Sequence, residues 1–307
     1  MRSRAEPPTV LTETLPRYRG IVPDRERFVE ACRRPLPATV RANTLRTGRD
    51  ALRQRLERQG VRASPCSWEK TLLEVDRPLG GTIEHWLGLF YIQEAVQTLP
   101  VLALDPRPGD VVLDFCAAPG GKATQIAARM GGVGPLIANE PSGRRQPALL
   151  ANINRLGVLN ATITAYRGES FPRTALFDRV LVDAPCSAEG TLRKEPSLLA
   201  GAATSAIARL ARLQKRLIVR AYDLLRPGGV LVYSTCTFAP EENESVAAHL
   251  LGVRDARLAP LSLPVAASPG LTSWNGESYP PELGGCARIY PHQIDSGGGF
   301  IARFERP

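Results

Sequence analysis

The sequence predicts an α/β protein, a doubly wound sheet with a smaller amino-terminal α+β unit. Three observations carry that prediction. From Val111 onward, short apolar runs alternate with helical patterns, as the strands and crossover helices of a parallel sheet do. The segment Leu113-Asp-Phe-Cys-Ala-Ala-Pro-Gly-Gly-Lys122 joins one such run to a helix through a glycine turn. Two further runs, Arg179–Val182 and Val230–Tyr233, lead directly into turn-forming segments that hold Cys186 and Cys236. If those runs are neighbouring parallel strands, both thiols stand at the carboxyl edge of the sheet, where open α/β folds bind ligands.

Residues 1–20 are polar and proline-containing, and they lead into a helix near Pro23 to Arg33. Val40 to Leu45 alternates as a strand does. Leu52 and Leu56 give Arg49 to Gln59 a helical spacing that Gly60 closes. Thr71 to Val75 is a second short strand, so the amino-terminal part is strand, helix, strand. Gly88 to Glu94 leads into a helix through Leu104, and Asp105 to Asp110 is a turn-rich break. Strands are then expected at Val111–Phe115, Pro135–Asn139, Ala161–Ala165, Arg179–Val182 and Gly229–Tyr233. Helices are expected at Lys122–Met130, Ser142–Leu156 and Ala203–Leu225. Residues 258–285, with five prolines and several glycines, predict a long loop. Cys286–Tyr290 and Gly299–Arg303 predict a closing pair of strands.

Composition narrows the partners. The formal net charge is +9 over 307 residues, which predicts an acidic partner, nucleic acid or an anionic membrane surface. Residues 1–97 carry 17 Lys/Arg against 12 Asp/Glu, more basic per residue than the remainder. Only four of the 39 cations are lysine. Arginine suits phosphate forks and base stacking, although codon bias gives the same composition. No stretch approaches the roughly 20 apolar residues of a membrane span. No hydrophobic core follows Met1 to Glu6, so no secretory signal is expected. The six cysteines form no CxxC pair, and none of the three histidines has zinc-like spacing to a cysteine. A metal site and a disulfide framework are therefore not expected, and a reducing cytoplasm is.

The glycine turn points to a nucleoside cofactor. Pro119 sharpens the turn, while Gly120 and Gly121 let backbone approach a ligand. Glu140 follows the next strand, where a carboxylate can accept hydrogen bonds from both hydroxyls of a ribose. A glycine turn alone often serves packing only; Glu140 tips the balance. The turn is neither GxGxxG nor a phosphate loop, so a cofactor with one ribose and no pyrophosphate fits, namely S-adenosylmethionine. The thiols then suggest chemistry on a cytosine. Adding a thiolate across C6 makes C5 enamine-like and able to attack a methyl sulfonium. Asp183 could bond N3 and the exocyclic amine. A single cysteine after a strand is more often a small buried apolar residue; two, each in a polar turn, favour catalysis.

These segments together resemble a known family. The cofactor turn, Asp-Ala-Pro-Cys-Ser (Asp183 to Ser187) and Tyr-Ser-Thr-Cys-Thr-Phe-Ala-Pro-Glu-Glu-Asn-Glu (Tyr233 to Glu244) resemble the NOL1/NOP2/Sun group of RNA cytosine-5 methyltransferases. Arg41 to Leu45, Gly88 to Glu94 and Arg288 to His292 lean toward its bacterial branch, which modifies small-subunit ribosomal RNA. The resemblance spans about residues 38–304. It implies a class I S-adenosylmethionine-dependent, Rossmann-like methyltransferase domain. It makes Cys236 the nucleophile and Cys186 the thiol that assists release, the reverse of the DNA enzymes. Cofactor contacts map to Cys116, Ala117, Ala118, Pro119, Gly120, Gly121 and Lys122, and to Glu140, Arg145 and Asp183. Lys122 would reach the methyl donor or the target base. Two departures stand out. Arg167 occupies the place of an acidic adenine contact, so Glu169 substitutes or that contact is lost. Ala188 replaces a glycine usual after Pro-Cys-Ser.

The expected organisation is a basic α+β RNA-binding module at residues 1–97 and a methyltransferase domain at 98–307. The expected substrate is 16S ribosomal RNA. The alternatives are tRNA, a non-catalytic RNA-binding assembly factor, and a methyltransferase acting on protein or small molecules. Many ribosomal members continue into a further RNA-binding domain, whereas this sequence ends at Pro307, which places the expected RNA capture on Arg41, Arg46 and Arg49. The oligomeric state is not encoded legibly. In Ala203–Leu225, Leu210, Leu213, Leu217, Ala221 and Leu224 form the expected core face, with Arg209, Arg212, Arg216 and Arg220 on a solvated one. Trp68, Trp86 and Trp274 could stack bases, though single aromatics more often anchor loops. His85, His249 and His292 are expected to be structural.

Overall fold

The computed structural model describes residues 15–173, 176–195 and 202–307. The expected polar leader at residues 1–14 lies outside these. Helix α1 (Arg25–Arg33) is capped by the Asp24 carboxylate, which accepts from Arg27 N. Next comes a four-stranded antiparallel sheet of β1 (Ala38–Ala42), β2 (Ala63–Pro65), β3 (Leu72–Val75) and β4 (Phe90–Ile92), in the order β2-β3-β1-β4. Helix α2 (Arg49–Glu57) lays Leu52 and Leu56 against Val40, Leu73, Val75 and Phe90 on one face of that sheet. Strand β1 starts and stops earlier than its alternation suggests. Asn43 is the reason: its carbonyl accepts from Arg46 N and Thr47 N, and its side chain accepts from Leu45 N, which turns the chain. The segment expected to lead only into a helix holds β4, followed by the one-sequence run of a 3-10 turn and α4 (Leu99–Leu104); the one-turn α3 (Ile83–Trp86) precedes β4.

The second sheet carries the alternation seen in the sequence. Strands β5 (Val112–Asp114), β6 (Leu136–Asn139), β7 (Ala161–Thr164), β8 (Phe177–Asp183) and β9 (Leu225–Thr235) pair in parallel. The closing pair, β10 (Ala287–Ile289) and β11 (Gly299–Glu305), adds antiparallel to β9. The order is β10-β11-β9-β8-β5-β6-β7. Two-residue strands at Arg257–Leu258 and Ser268–Pro269 extend it to nine, so the expected long loop is partly tied to the sheet. Alternate residues of one strand serve opposite cores. Val112, Leu181 and Val232 face α4, α5 (Gly121–Arg129) and α6 (Gln146–Leu156), whereas Leu113, Val182 and Tyr233 face α7 (Thr204–Asp223) and α8 (Glu244–Val253). Burial on both faces explains the near-continuous apolar runs.

Helix α7 is rotated from the expected face. It buries Ile207, Ala211, Gln214, Leu217, Ile218, Ala221 and Tyr222, leaving Leu210 and Leu213 at the margin. Gln214 is a polar residue at a core position, and it is held there by the carboxylate of Glu242 at 2.7 Å. No described helix is long and apolar enough to cross a membrane.

The free face of the small sheet rests on the large domain. Arg41 is 1% exposed, not a surface cation. Its Nε donates to Gln93 Oε1 at 2.6 Å, and its Nη2 donates to Gly121 O and Thr124 Oγ1. Burial pulls this guanidinium down to about 10. The expected phosphate contact of Arg41 is therefore corrected: the side chain faces inward because alternation on β1 points it at α5. Asn43 likewise bonds Gly88 O and Leu156 O, joining the two domains.

Candidate active site

The carboxyl edge of the parallel strands gathers the expected site. Strand β5 ends at Asp114, and the turn to α5 passes between Tyr91 and α6. Gly120 has φ 108, which favours glycine, and a Cβ there would meet Leu149 at 3.2 Å. A Cβ on Gly121 would meet the Tyr91 ring at 3.1 Å. This turn walls a cavity of about 300 Å³ with Cys116, Ala117, Ala118, Pro119, Gly121 and Lys122, closed by Arg145 and Asp183. A second cavity of about 320 Å³ shares Cys116 and Arg145 and is lined by Glu140, Arg167, Glu169 and Pro185.

Two buried carboxylates aim spare capacity into these cavities. Asp114 is fully buried, and neither oxygen has a hydrogen-bond partner among the described residues. Burial first, and then the charge of Asp183, push its carboxyl up to about 7. Glu140 is 2% exposed. Its Oε1 accepts from Ser142 N at 2.8 Å. Its Oε2 lies 3.0 Å from Arg145 Nη1 but off the hydrogen-bond direction, so that oxygen keeps a free lone pair. Arg145 also donates to Ala118 O at 2.6 Å, which ties the two strand-end loops together. One cavity thus offers an orphaned carboxylate for a cation, and the other offers one for hydroxyl donors. That pair fits the ammonium and ribose of S-adenosylmethionine. Arg167 and Glu169 stand side by side in the second cavity, both exposed, where the adenine contact was in question.

The two thiols meet because β8 and β9 run parallel and in register. Val182 pairs with Tyr233 and Asp183 with Ser234, so the turns after them start level. The Sγ atoms of Cys186 and Cys236 are 3.3 Å apart. Hydrogen bonds lock the turns together. The Ser187 and Thr237 hydroxyls are 2.7 Å apart, and Gly190 N donates to Cys236 O at 2.8 Å. Glu242 accepts from Ser187 N at 3.1 Å. Glu189 accepts from Thr237 at 2.9 Å and from the Tyr18 hydroxyl at 2.5 Å. The contact with Cys236, together with burial, pushes the Cys186 thiol well up. Ala188 sits at φ 59, in the left-handed region, so the alanine in place of glycine is accommodated with strain.

Asp183 connects the thiols to the cavity. Its Oδ1 accepts from Ser234 Oγ at 2.9 Å, and its Oδ2 accepts from Lys122 Nζ at 2.8 Å. Burial alone would lower the Lys122 ammonium, but Asp183, Cys236 and Asp114 outweigh it and raise it. Lys122 therefore stays charged beside Asp183 and the Cys236 sulfur. Its second hydrogen bond goes to Gln97 Oε1 at 2.5 Å. Every expected site residue falls at this edge. The sequence pattern did not single out Asp114, Glu242 or Tyr18. Asp114 closes the quoted turn motif, yet only its missing partners reveal it; Tyr18 is 171 residues from Glu189. No group of three or more metal-ligating side chains occurs among the described residues.

The sheet order and the loop after its first parallel strand are those of the class I S-adenosylmethionine-dependent methyltransferase fold. A family model described as 16S rRNA methyltransferase RsmB/F matches residues 101–305, and one for the RsmF/B-like ferredoxin-like domain matches residues 19–80. The chain belongs to this RsmB/F methyltransferase family. It is 40% identical over 289 residues to a tRNA (cytosine(49)-C(5))-methyltransferase of Pyrococcus abyssi, covering 92% of the chain and 93% of that relative. It is 46% identical over 234 residues to ribosomal RNA small subunit methyltransferase F of Vibrio campbellii, covering 73% of the chain and 49% of that relative. A solved methyltransferase homolog from Pyrococcus horikoshii superposes with a TM-score of 0.85 at 33% identity, over 98% of this chain and 99% of that one. The chain spans about a third to three-fifths of the length of the ribosomal relatives it matches.

Proposed function

We propose that the protein is an S-adenosylmethionine-dependent RNA cytosine-5 methyltransferase acting on 16S ribosomal RNA. The observation that carries this reading is the pair of sulfurs 3.3 Å apart, beside an aspartate that also walls the cofactor-sized cavity. Glu140 would hold the ribose hydroxyls, Asp114 the ammonium, and the Cys116–Lys122 turn the backbone-facing edge. When bound, the cofactor supplies an electrophilic methyl group on a sulfonium.

The chain's residues supply the rest. The Cys236 proton passes by way of the Asp183 carboxyl to N3 of the cytosine as the sulfur adds to C6, which makes C5 nucleophilic. The Lys122 ammonium favours the negative sulfur electrostatically. Asp183, fixed by Lys122 and Ser234, accepts from the exocyclic amine with one oxygen and gives N3 the transferred proton from the other, which favours addition at C6. After methylation C5 still carries a proton; water takes it, which re-forms the C5–C6 double bond and expels the Cys236 sulfur, and N3 returns its proton to Asp183. Cys186, in contact with that sulfur and with its own thiol held protonated, donates its proton to the departing Cys236 sulfur and regains one from water. A non-catalytic assembly factor would have no use for this constellation.

A tRNA substrate is the second reading. The archaeal relative named for tRNA is as identical to this chain as several ribosomal ones. One assay decides both. The protein is incubated with labelled cofactor and either small-subunit ribosomal RNA or bulk tRNA, both lacking 5-methylcytosine, and bisulfite sequencing follows. Protection of one ribosomal cytosine supports the first reading, and protection of a tRNA cytosine supports the second. Methylation of neither would refute the enzyme assignment.

A further inference from the structure

We infer that Trp86 is a stacking platform for a single-stranded stretch of the RNA, flanking the target cytosine. This rests on the RNA reading above and deepens it. Trp86 is 75% exposed at the end of α3. Of ten large apolar side chains exposed among the described residues, four fall within ten positions: Ile83, Trp86, Leu87 and Ile92. These four lie on α3, on β4 and on the short turn between them.

Its surroundings favour nucleic acid as the occupant. Arg46 Nη1 donates to Leu87 O at 2.6 Å. Arg155 Nη1 donates to His85 O at 2.7 Å and to Phe90 O at 3.2 Å. These arginines bond carbonyls, and neither forms an ion pair with a described carboxylate, so their positive charge stays unmatched on the backbone of the turn that carries Trp86. Burial lowers the Arg155 guanidinium, Tyr91 acts against it, and the charge of Arg46 adds to the lowering. The turn is clamped further by Gly88, where a Cβ would strike Arg155 O. A rigid, exposed indole on a turn bonded by two unmatched guanidiniums combines base stacking with phosphate attraction, as single-strand binding sites do. The patch also leads to the chemistry. Ile92 lines the cavity that Asp183 and Lys122 close. It lies six residues from Trp86, at most about 22 Å of extended chain.

The test uses the full chain with a mixed-sequence 12-nucleotide RNA, single-stranded or annealed to its complement. Wild type is compared with Trp86→Ala, Trp86→Phe and Trp86→Tyr by filter binding and tryptophan fluorescence. The result expected is a loss of single-strand affinity of about fivefold or more in Trp86→Ala, the lower end of base–aromatic stacking. Trp86→Phe and Trp86→Tyr should retain most affinity, and RNA-induced quenching should vanish in Trp86→Phe, though Trp68 and Trp274 remain. Cofactor affinity and thermal unfolding should not change. Wild-type affinity in Trp86→Ala overturns the inference and leaves the RNA reading standing. An equal loss for duplex overturns stacking in favour of shape contact. Conversion of a wild-type dimer to monomer by Trp86→Ala assigns the patch to a second copy of the chain instead. If wild type binds neither RNA, the functional reading fails with it.

Discussion

The carboxyl edge of the large sheet and the inner face of the small sheet both bury polar side chains, but they use them in opposite ways. At the edge, Asp114 has no hydrogen-bond partner among the described residues, and one oxygen of Glu140 has only its ion pair with Arg145. On the inner face, Arg41 and Asn43 spend their donors on Gln93, Thr124 and main-chain carbonyls. A saturated buried polar group holds structure together. An unsaturated one carries a desolvation cost that a ligand can relieve. The same residue types therefore mean different things in the two places, and their partners, not their charge, distinguish them.

Arg41→Ala should give the largest effect on stability. It strips a buried guanidinium from Gln93, Gly121 and Thr124, leaving Gln93 Oε1 without its donor and an unfilled space in the domain seam, a loss of about 3 kcal/mol. Thermal unfolding of the variant should move down by several degrees, and cofactor binding should weaken with it because Gly121 belongs to the cofactor turn. A variant that unfolds like wild type but loses RNA would restore the surface reading of Arg41.

Glu140→Ala tests the unsaturated side. Two hydrogen bonds at roughly 0.5–1.5 kcal/mol each predict cofactor affinity weaker by about tenfold or more, read by calorimetry, along with a smaller loss of stability because Ser142 N and Arg145 lose their carboxylate. Unchanged affinity would place the ribose elsewhere.

Asp114 gives the comparison a pH dependence. Its folded value of about 7 stands above the ordinary aspartate value of 3.8, so the folded state holds its proton longer. Its contribution to stability is fully present below about pH 4 and is lost as pH rises to about 7. Binding a cofactor ammonium needs the ionised form, so cofactor affinity should rise across the same range. Asp114→Asn should flatten both trends; a rise in affinity that survives the substitution would mean another group holds the ammonium.

Ala188→Gly should have the smallest effect. Relief of a left-handed alanine at φ 59 predicts a gain of about 1 kcal/mol, offset in part by the entropy of glycine. Denaturant unfolding measures it, and a loss of stability would show that the methyl group packs usefully.

Much of the large domain is legible in the sequence because its signals are local. Apolar runs, the turn from Asp114 to Lys122, and the polar segments around Cys186 and Cys236 each mark a strand end, and parallel pairing then brings them together. What the sequence does not show is which face of a short strand meets another domain. Arg41 is half of an alternating pattern, and nothing local tells that its side of β1 is covered by α5. Gln214 misleads in the same way: a polar residue at a core position shifts the buried face of α7, because its partner Glu242 lies 28 residues on. Asp114 is hidden for the opposite reason, since an absent partner leaves no mark in a sequence.

The central claim is that the two touching thiols have different tasks, attack by Cys236 and release by Cys186. Trapping measures it directly. Each variant, Cys236→Ala and Cys186→Ala, is incubated with cofactor and either 5-fluorocytosine-containing or ordinary substrate RNA, then run on denaturing gels. The account predicts no adduct from Cys236→Ala on either RNA, and complexes from Cys186→Ala that accumulate even on ordinary RNA. An adduct that persists in Cys236→Ala and vanishes in Cys186→Ala would contradict it.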